Sequence, residues 1–449
     1  MKNLKVGFAR LDITPRSGIF VTGYYQDRYA EGVLDPLEVN AIALECGNDR
    51  AVMLSLDACN INRDTDAFLR PFIADANGLP LEAVYMSCTH THTGPRILVN
   101  SGDPLIEENL QILRGKLIDA AKYALADLKP ATLGWAIGNA PNVAFVRRYR
   151  MKDGSVRTNP GVNNPDIVAP IGEVDERVTV LRFDREGADT ILFTNFGNHP
   201  DVVGGSKLSC DWPGFLRRTV EKVLDDVKCV FFNGAQGDIN HVNVHPTGGY
   251  LNDTFNDFDD VSRGYLHARY IGRVVAGGVV QAFDKVQYVE TDSLRFLQRP
   301  IRVPSNKCDP SELPEAHRIN NLHLAGRDSE LPYEGMMLTT VLAEAARKVK
   351  MENGPDFFDM ELTGLALGNI ALIGIPGEPF MGIGKALKET DGWDLVIPTC
   401  LTNGSEGYFP MMDAYAEGGY EAGSSKFKAG VAELIIAEGK ELLSQLKEA

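Results

Sequence analysis

The 449-residue sequence contains no run of about 18 apolar residues, so no membrane-spanning helix is expected. It also lacks a basic tract. With 45 Lys and Arg against 61 Asp and Glu, the formal net charge is −16, which argues against nucleic acid as a partner. Cysteine is sparse: seven residues, at positions 46, 59, 88, 210, 229, 308 and 400, an odd number with no CxxC pair. Several sit in apolar runs, so the spacing predicts reduced, buried thiols rather than a disulfide framework. Met1–Val6 enters a strand-like segment without the apolar core of a secretion signal, and a cytoplasmic protein is the expectation. Repeats, low-complexity tracts and linkers are absent as well. Nor is there a phosphate-binding P-loop, because the glycines at 234 and 237 are not followed by Gly-Lys-Ser/Thr.

What is present is ordinary globular patterning, with 44% hydrophobic residues, enough for a large core. Ala41–Leu44 and Ala51–Leu56 read as a strand pair around Gly47-Asn48-Asp49, as do Arg177–Phe183 with Thr190–Phe196, and Leu362–Leu367 with Asn369–Ile375 through Gly368. Cys229–Phe232 reads as a buried strand. Helical spacing marks Leu105–Leu128, Pro213–Leu224, Ser262–Phe283, Leu338–Val349 and Lys426–Leu446. Ala276-Gly277-Gly278 predicts a close helix contact. Residues 139–170 read as a long Gly/Pro/Asn-rich loop, and 300–335 as a polar, irregular segment, a candidate lid or subdomain. Gly23-Tyr24-Tyr25 and Asp35-Pro36-Leu37 read as loops without assignable chemistry. The fold class that follows is α/β, a large twisted mixed sheet covered by helices, organised as one domain over 1–449.

The stretch that carries chemistry is Val84-Tyr85-Met86-Ser87-Cys88-Thr89-His90-Thr91-His92-Thr93-Gly94-Pro95. An apolar, β-prone run ends in two histidines two residues apart, which a strand would place on one face. His199, before Pro200, and Glu378, after Ile370–Ile375, follow apolar runs in the same way. Two imidazoles and a carboxylate from three strand ends make a plausible ligand set for a catalytic zinc with one position left open. Asp57 ends another run and either turns the chain or faces the same site.

These pieces resemble, in order, the catalytic domain of the neutral, non-lysosomal ceramidase family of zinc amidases. The matching elements are Gly7–Pro15, His90–Pro95, Asn198-His199-Pro200, Asn233–Asp238, Pro376-Gly377-Glu378 and the Tyr408–Ser425 tail, which together span nearly the whole chain. The resemblance implies Zn²⁺ held by His90, His199, Glu378 and Tyr408, the phenol either binding the metal, donating to a developing oxyanion or packing in its loop. It implies that the Arg147-Arg148 segment faces the site. A guanidinium there would bind a substrate carbonyl or carboxylate, and Arg96 joins the substrate-binding candidates. Asp211 corresponds to a carboxylate that either orients a ligand histidine or caps a helix.

Two departures shift the expectation. The family's serine position is Asn240, whose amide is not a nucleophile, so zinc-activated water becomes the natural attacking group. The chain also ends without the family's C-terminal β-sandwich. His92, Asp238 and His241 are the candidates for proton transfer or ligand orientation, with Asn240 a candidate substrate contact. The backbone of Asn233–Asp238 either serves an oxyanion or merely connects elements. The reading is a zinc-dependent hydrolase of amide, ester or cyclic ester bonds in a small, polar molecule rather than ceramide. The alternatives are a degenerate metal- or ligand-binding protein and a zinc-dependent lyase or isomerase.

Overall fold

The computed structural model describes residues 4–246 and 264–448. The larger sheet runs in the order Val227–Asn233, Thr190–Phe196, Arg177–Arg185, Lys129–Asn139, Leu4–Asp12, Glu38–Cys46, Asp49–Leu56, Val84–Cys88, with Gln287–Val289 paired to Lys129–Asn139. Most neighbours are antiparallel, but the pair at each end is parallel, which makes the sheet mixed. The two ends of the path approach each other. Ser55 Oγ donates to Phe231 O at 2.5 Å and Asn233 Nδ2 to Thr89 O at 3.2 Å.

A second sheet, in the order Leu294–Pro304, Phe357–Leu367, Ile370–Gly374, Leu395–Thr399, lies against this junction. Its last strand runs into Cys400–Asn403, which bonds to both edges of the first sheet. Cys400 N donates to Asn233 O (3.0 Å), and Asn403 N to Met86 O (2.8 Å). Apolar residues of both sheets, among them Val84, Phe232, Leu372 and Ile397, form one buried cluster. The loops after Val84–Cys88, Thr190–Phe196, Val227–Asn233 and Ile370–Gly374 therefore converge.

Helices Arg63–Asn77, Pro104–Ala126, Asp211–Val223, Tyr265–Phe283, Met381–Lys388 and Val431–Glu448 account for most of the helical cover. The Ala276–Gly278 cluster does what its composition predicts. Gly138 and Gly278 face each other so closely that neither position has room for a Cβ, which lets Tyr265–Phe283 lie directly on Lys129–Asn139. The expected start of that helix at Ser262 lies outside the described residues.

Three expectations are corrected. Residues 139–170 are not a plain loop. Phe145–Val146 pairs with Ile239–Asn240, and Arg148–Met151 is the middle of a three-stranded sheet with Val156–Thr158 and Ile167–Pro170. Residues 300–335 are not irregular, since they begin in the Leu294–Pro304 strand and continue into the helix Leu313–Leu324, which packs on Gly335–Glu352. Lys426–Gly430 is not the start of the last helix, because Phe427 bridges to Ser305 and Lys428 N donates to Pro304 O at 2.9 Å. All seven cysteines are free, six of them buried, and no described helix is long and apolar enough to cross a membrane.

Candidate metal centre

The Val84–Cys88 strand stops two residues before His90, whose backbone is left-handed (φ 77°). Strand alternation is thus not what aligns the two histidines. The turn instead lets His90 N donate to Ala58 O (2.9 Å) and His92 N to Pro200 O (3.0 Å), which anchors the pair to two neighbouring loops. His90 Nδ1 lies 2.8 Å from Cys59 O, and His199 Nδ1 lies 2.7 Å from Ile239 O and 3.0 Å from Gln236 O. A carbonyl accepts but cannot donate, so each Nδ1 carries a proton, and in the neutral ring Nε2 is the atom with the lone pair. Both Nε2 atoms point at the same carboxylate oxygen, Glu378 Oε2, each at 3.2 Å.

These three donor atoms are buried and lie within 4.8 Å of one another. Ligands around a tetrahedral zinc at about 2.0–2.1 Å stand roughly 3.3 Å apart, close to the spacing found here. His199 Nε2 is buried without a hydrogen-bond partner, the state expected of a lone pair aimed at a cation. The electrostatics agree. Burial works to raise the Glu378 carboxyl, but His90 and His199 outweigh it and hold the group well below the usual carboxylate range. Burial likewise opposes charge on His90, yet the facing Glu378 carboxylate raises its pKa well above normal. The site draws positive charge to the gap between imidazole and carboxylate. His199 is kept neutral, lowered to about 4 by burial and then by Arg147.

Cys59, His90 and His92 form a second donor group that shares His90. With Nδ1 committed to Cys59 O, only His90 Nε2 remains, and that atom faces Glu378. His92 stands beside the trio, its Nε2 3.2 Å from His90 Nε2, and burial lowers its pKa to about 3.

Tyr408 is the register partner of Glu378 in a short parallel pair, Glu378–Pro379 with Tyr408–Phe409. Burial, and then Glu378, raise its phenol well above the ordinary value. Arg147 lies alongside, with its guanidinium carbon 5.2 Å from the Tyr408 ring. Its Nη2 donates to Gly237 O at 2.6 Å and its Nε stands 2.6 Å from Glu421 Oε1. Asp238 Oδ1 accepts from Met381 N (2.7 Å), fixing the start of the helix that follows Glu378, and burial raises its pKa to about 6.

The other sequence candidates make contacts of their own. The Arg148 Nη2 is committed to Glu417 (3.0 Å) and Gly418 O (3.2 Å), and Arg96 is exposed over the Phe20 ring at 4.9 Å. Asn240 donates to Asn159 Oδ1 (2.9 Å) and accepts from Val242 N (3.0 Å). His241 is buried with its ring 6.0 Å from that of His267. Asp57 is paired with Arg217 at 2.6 Å inside the fold. Asp211 accepts from Val202, Val203 and Trp212 amides and Trp212 Nε1 donates to His199 O, so it braces the His199 loop rather than the imidazole.

Sequence reasoning gave no role to Tyr25, Tyr24 and Asp201, and Tyr420 and Glu421 entered it only within the Tyr408–Ser425 tail. Tyr25 and Tyr420 rings stand 6.5 Å apart, Tyr420 and Tyr408 rings 5.6 Å, forming an aromatic wall beside Arg147. Burial raises the Tyr25 phenol, and Glu378 adds to the effect. Only spatial proximity joins these groups, and no local pattern in the chain announces it.

No protein-family model and no curated protein sequence matches the chain. Solved ceramidase structures share its fold. The neutral ceramidase from Pseudomonas aeruginosa superposes with a TM-score of 0.74 at 18% identity, covering 99% of this chain and 75% of that one. A ceramidase complexed with C2 gives 0.70 at 16% identity, covering 99% and 76%. The mixed-sheet architecture described above is therefore ceramidase-like.

Proposed function

We propose that the protein is a zinc-dependent hydrolase that cleaves an amide or ester bond, cyclic esters included, in a small polar substrate. The observation that carries this reading is the convergence of His90 Nε2 and His199 Nε2 on Glu378 Oε2, each at 3.2 Å, with all three side chains buried in a ceramidase-like fold. A zinc ion held there would polarise the scissile carbonyl and make hydroxide available near neutral pH, since its bound water has a pKa of about 7.

The surrounding residues have separable tasks. Arg147, held through Nη2 by Gly237 O and with Nε beside Glu421, would offer its remaining donor to the carbonyl or a substrate carboxylate. Tyr408 either completes the ligand set or donates to the oxygen that gains charge. His92 accepts a hydrogen bond beside the open position, and Asp238 holds the segment that follows Glu378. Asn240 replaces a nucleophile, which favours direct attack by water over a covalent intermediate. The polar lining of Arg147, Tyr25, Tyr408 and Tyr420 favours a substrate other than a long lipid chain. Arg148 and Arg96 have no task at this centre. His241 belongs to the supporting shell behind Asn240. The proposal includes a single-domain organisation, supported by the core the two sheets share, and a cytoplasmic setting, supported by seven free cysteines.

The test is metal analysis of the purified protein beside His199→Ala, followed by assays on esters, lactones and N-acyl amides. About one zinc per chain is expected in the native protein, with both zinc and turnover lost in the variant. A metal-free native protein would leave a binding protein on a hydrolase fold as the better description.

A further inference from the structure

His92 is the group in the centre whose surroundings the zinc trio does not explain. Its ring has two ends with different company. Nε2 stands 3.2 Å from His90 Nε2, at the edge of the metal position. Nδ1 is buried without a hydrogen-bond partner and faces Asp201 Oδ1 at 3.6 Å. That separation is longer than a hydrogen bond, and contacts of this kind shorten when an active site fills.

Asp201 is itself held in place. The Tyr24 hydroxyl donates to Asp201 Oδ1. The Tyr24 ring lies 4.0 Å from the Arg28 guanidinium carbon, and Arg28 Nη2 donates to His92 O (2.8 Å) and Thr22 O (2.9 Å). Gly23 makes this wrap feasible. It has a left-handed backbone (φ 122°), and a Cβ there would lie 2.8 Å from His92 Cβ. The Thr22–Arg28 loop thus closes over His92 from one side while Asp201 meets it from the other.

We infer that Asp201, seated by Tyr24, is the positioning residue of His92: it selects the Nδ1–H tautomer and so turns the Nε2 lone pair toward the open side of the metal centre. A neutral imidazole carries one N–H, and a carboxylate facing Nδ1 can be satisfied only if the proton is there. Nε2 is then an acceptor for a substrate N–H or O–H, or for the attacking water. Both tautomers are neutral, so the device involves no ionisation. Its catalytic consequence rests on the hydrolase reading above, whereas the tautomer itself does not.

The test reads the tautomer directly, by long-range ¹H–¹⁵N correlation of histidine rings in ¹⁵N-labelled protein with and without added zinc, the His92 signals being assigned from His92→Gln. The native ring is expected as Nδ1–H. Asp201→Asn, which retains an acceptor, is expected to preserve that form, and Asp201→Leu to lose it. Tyr24→Phe, which leaves Asp201 in place but unpinned, is expected to give a mixture. In turnover, Asp201→Leu is expected to lower kcat by about 10–100-fold with KM little changed, and Asp201→Asn to recover most of it. An Nε2–H ring in the native protein, or an unchanged ring in both Asp201→Leu and Tyr24→Phe, overturns the inference. Native protein that shows the Nδ1–H ring and its loss in Asp201→Leu, but holds no zinc, would overturn the hydrolase proposal and leave this one standing.

Discussion

At the scale of single residues, Gly237 is a position where the fold tightly constrains the centre. A methyl group on residue 237 would lie 2.5 Å from Glu378 O and 3.0 Å from Pro379 O, and Gly237 N already donates to Pro379 O at 2.8 Å. Backbone oxygens cannot swing aside as a long side chain would. Gly237→Ala is therefore expected to push the Glu378 segment out of register at a cost of about 1–3 kcal/mol. Zinc affinity should fall with it. Urea unfolding and a metal titration on the variant check both, and native affinity would show that the turn does not locate Glu378. The same scale shows what single residues reveal in sequence. Histidines after apolar runs were legible because strand ends deliver side chains to loops. The left-handed turn at His90 was not, since nothing in Cys88-Thr89-His90 demands it. Arg147 falls between the Phe145–Val146 and Arg148–Met151 strands while Arg148 opens the second, a break that two adjacent arginines do not announce, and Tyr24 and Asp201 meet across 177 residues.

Elements were legible where their periodicity was strong. Strand pairs around Gly47 and Gly368 form as their spacing predicts, with Gly368 left-handed (φ 56°) at the turn. The misses have a common physical cause. Leu294–Pro304 and the Leu313–Leu324 helix bury few side chains, the latter only Ala316 and Ile319, so their sequences look like loops. The Met381–Lys388 helix, which follows Glu378, buries Ile383 and Leu387 and is moored by charge as well. Asp175 receives Lys388 Nζ at 2.8 Å and a two-pronged contact from Arg177 at 2.7 and 2.8 Å. Burial alone would raise the Asp175 carboxyl, but Arg177 and Lys388 hold it below the usual range. Lys388 is itself lowered by burial, which Asp175 only partly offsets. A carboxyl depressed in the fold adds stability above its unfolded pKa of about 3.9, and loses it as pH falls through the folded value. Asp175→Asn should then cost about 2 kcal/mol at neutral pH. The gap to the native protein should close as the pH drops below about 4. Urea midpoints across that range measure it, and a gap independent of pH would mean that shape rather than charge holds the helix.

Across the whole molecule, the candidate centre sits where the two sheets meet. His90 and His199 follow strands of the larger sheet, Glu378 follows a strand of the smaller one, and Cys400–Asn403 bonds to both edges between them. A cation bound by this trio would tie one sheet to the other, so its binding energy would act on global stability and not only on a loop. Binding to the native state alone stabilises by RT ln(1 + [L]/Kd), about 4 kcal/mol at a thousandfold excess over Kd. Zinc is thus expected to raise the melting temperature of the native protein, and a chelator to reverse the shift. His199→Ala should not respond. Hydrogen exchange distinguishes a cross-link from a local clamp. A cross-link slows exchange at the ends of both Thr190–Phe196 and Ile370–Gly374, strands that belong to different sheets. Protection confined to the His90–His92 turn would place the metal on one sheet only, and Glu378 would then be a partner of the histidines rather than a ligand.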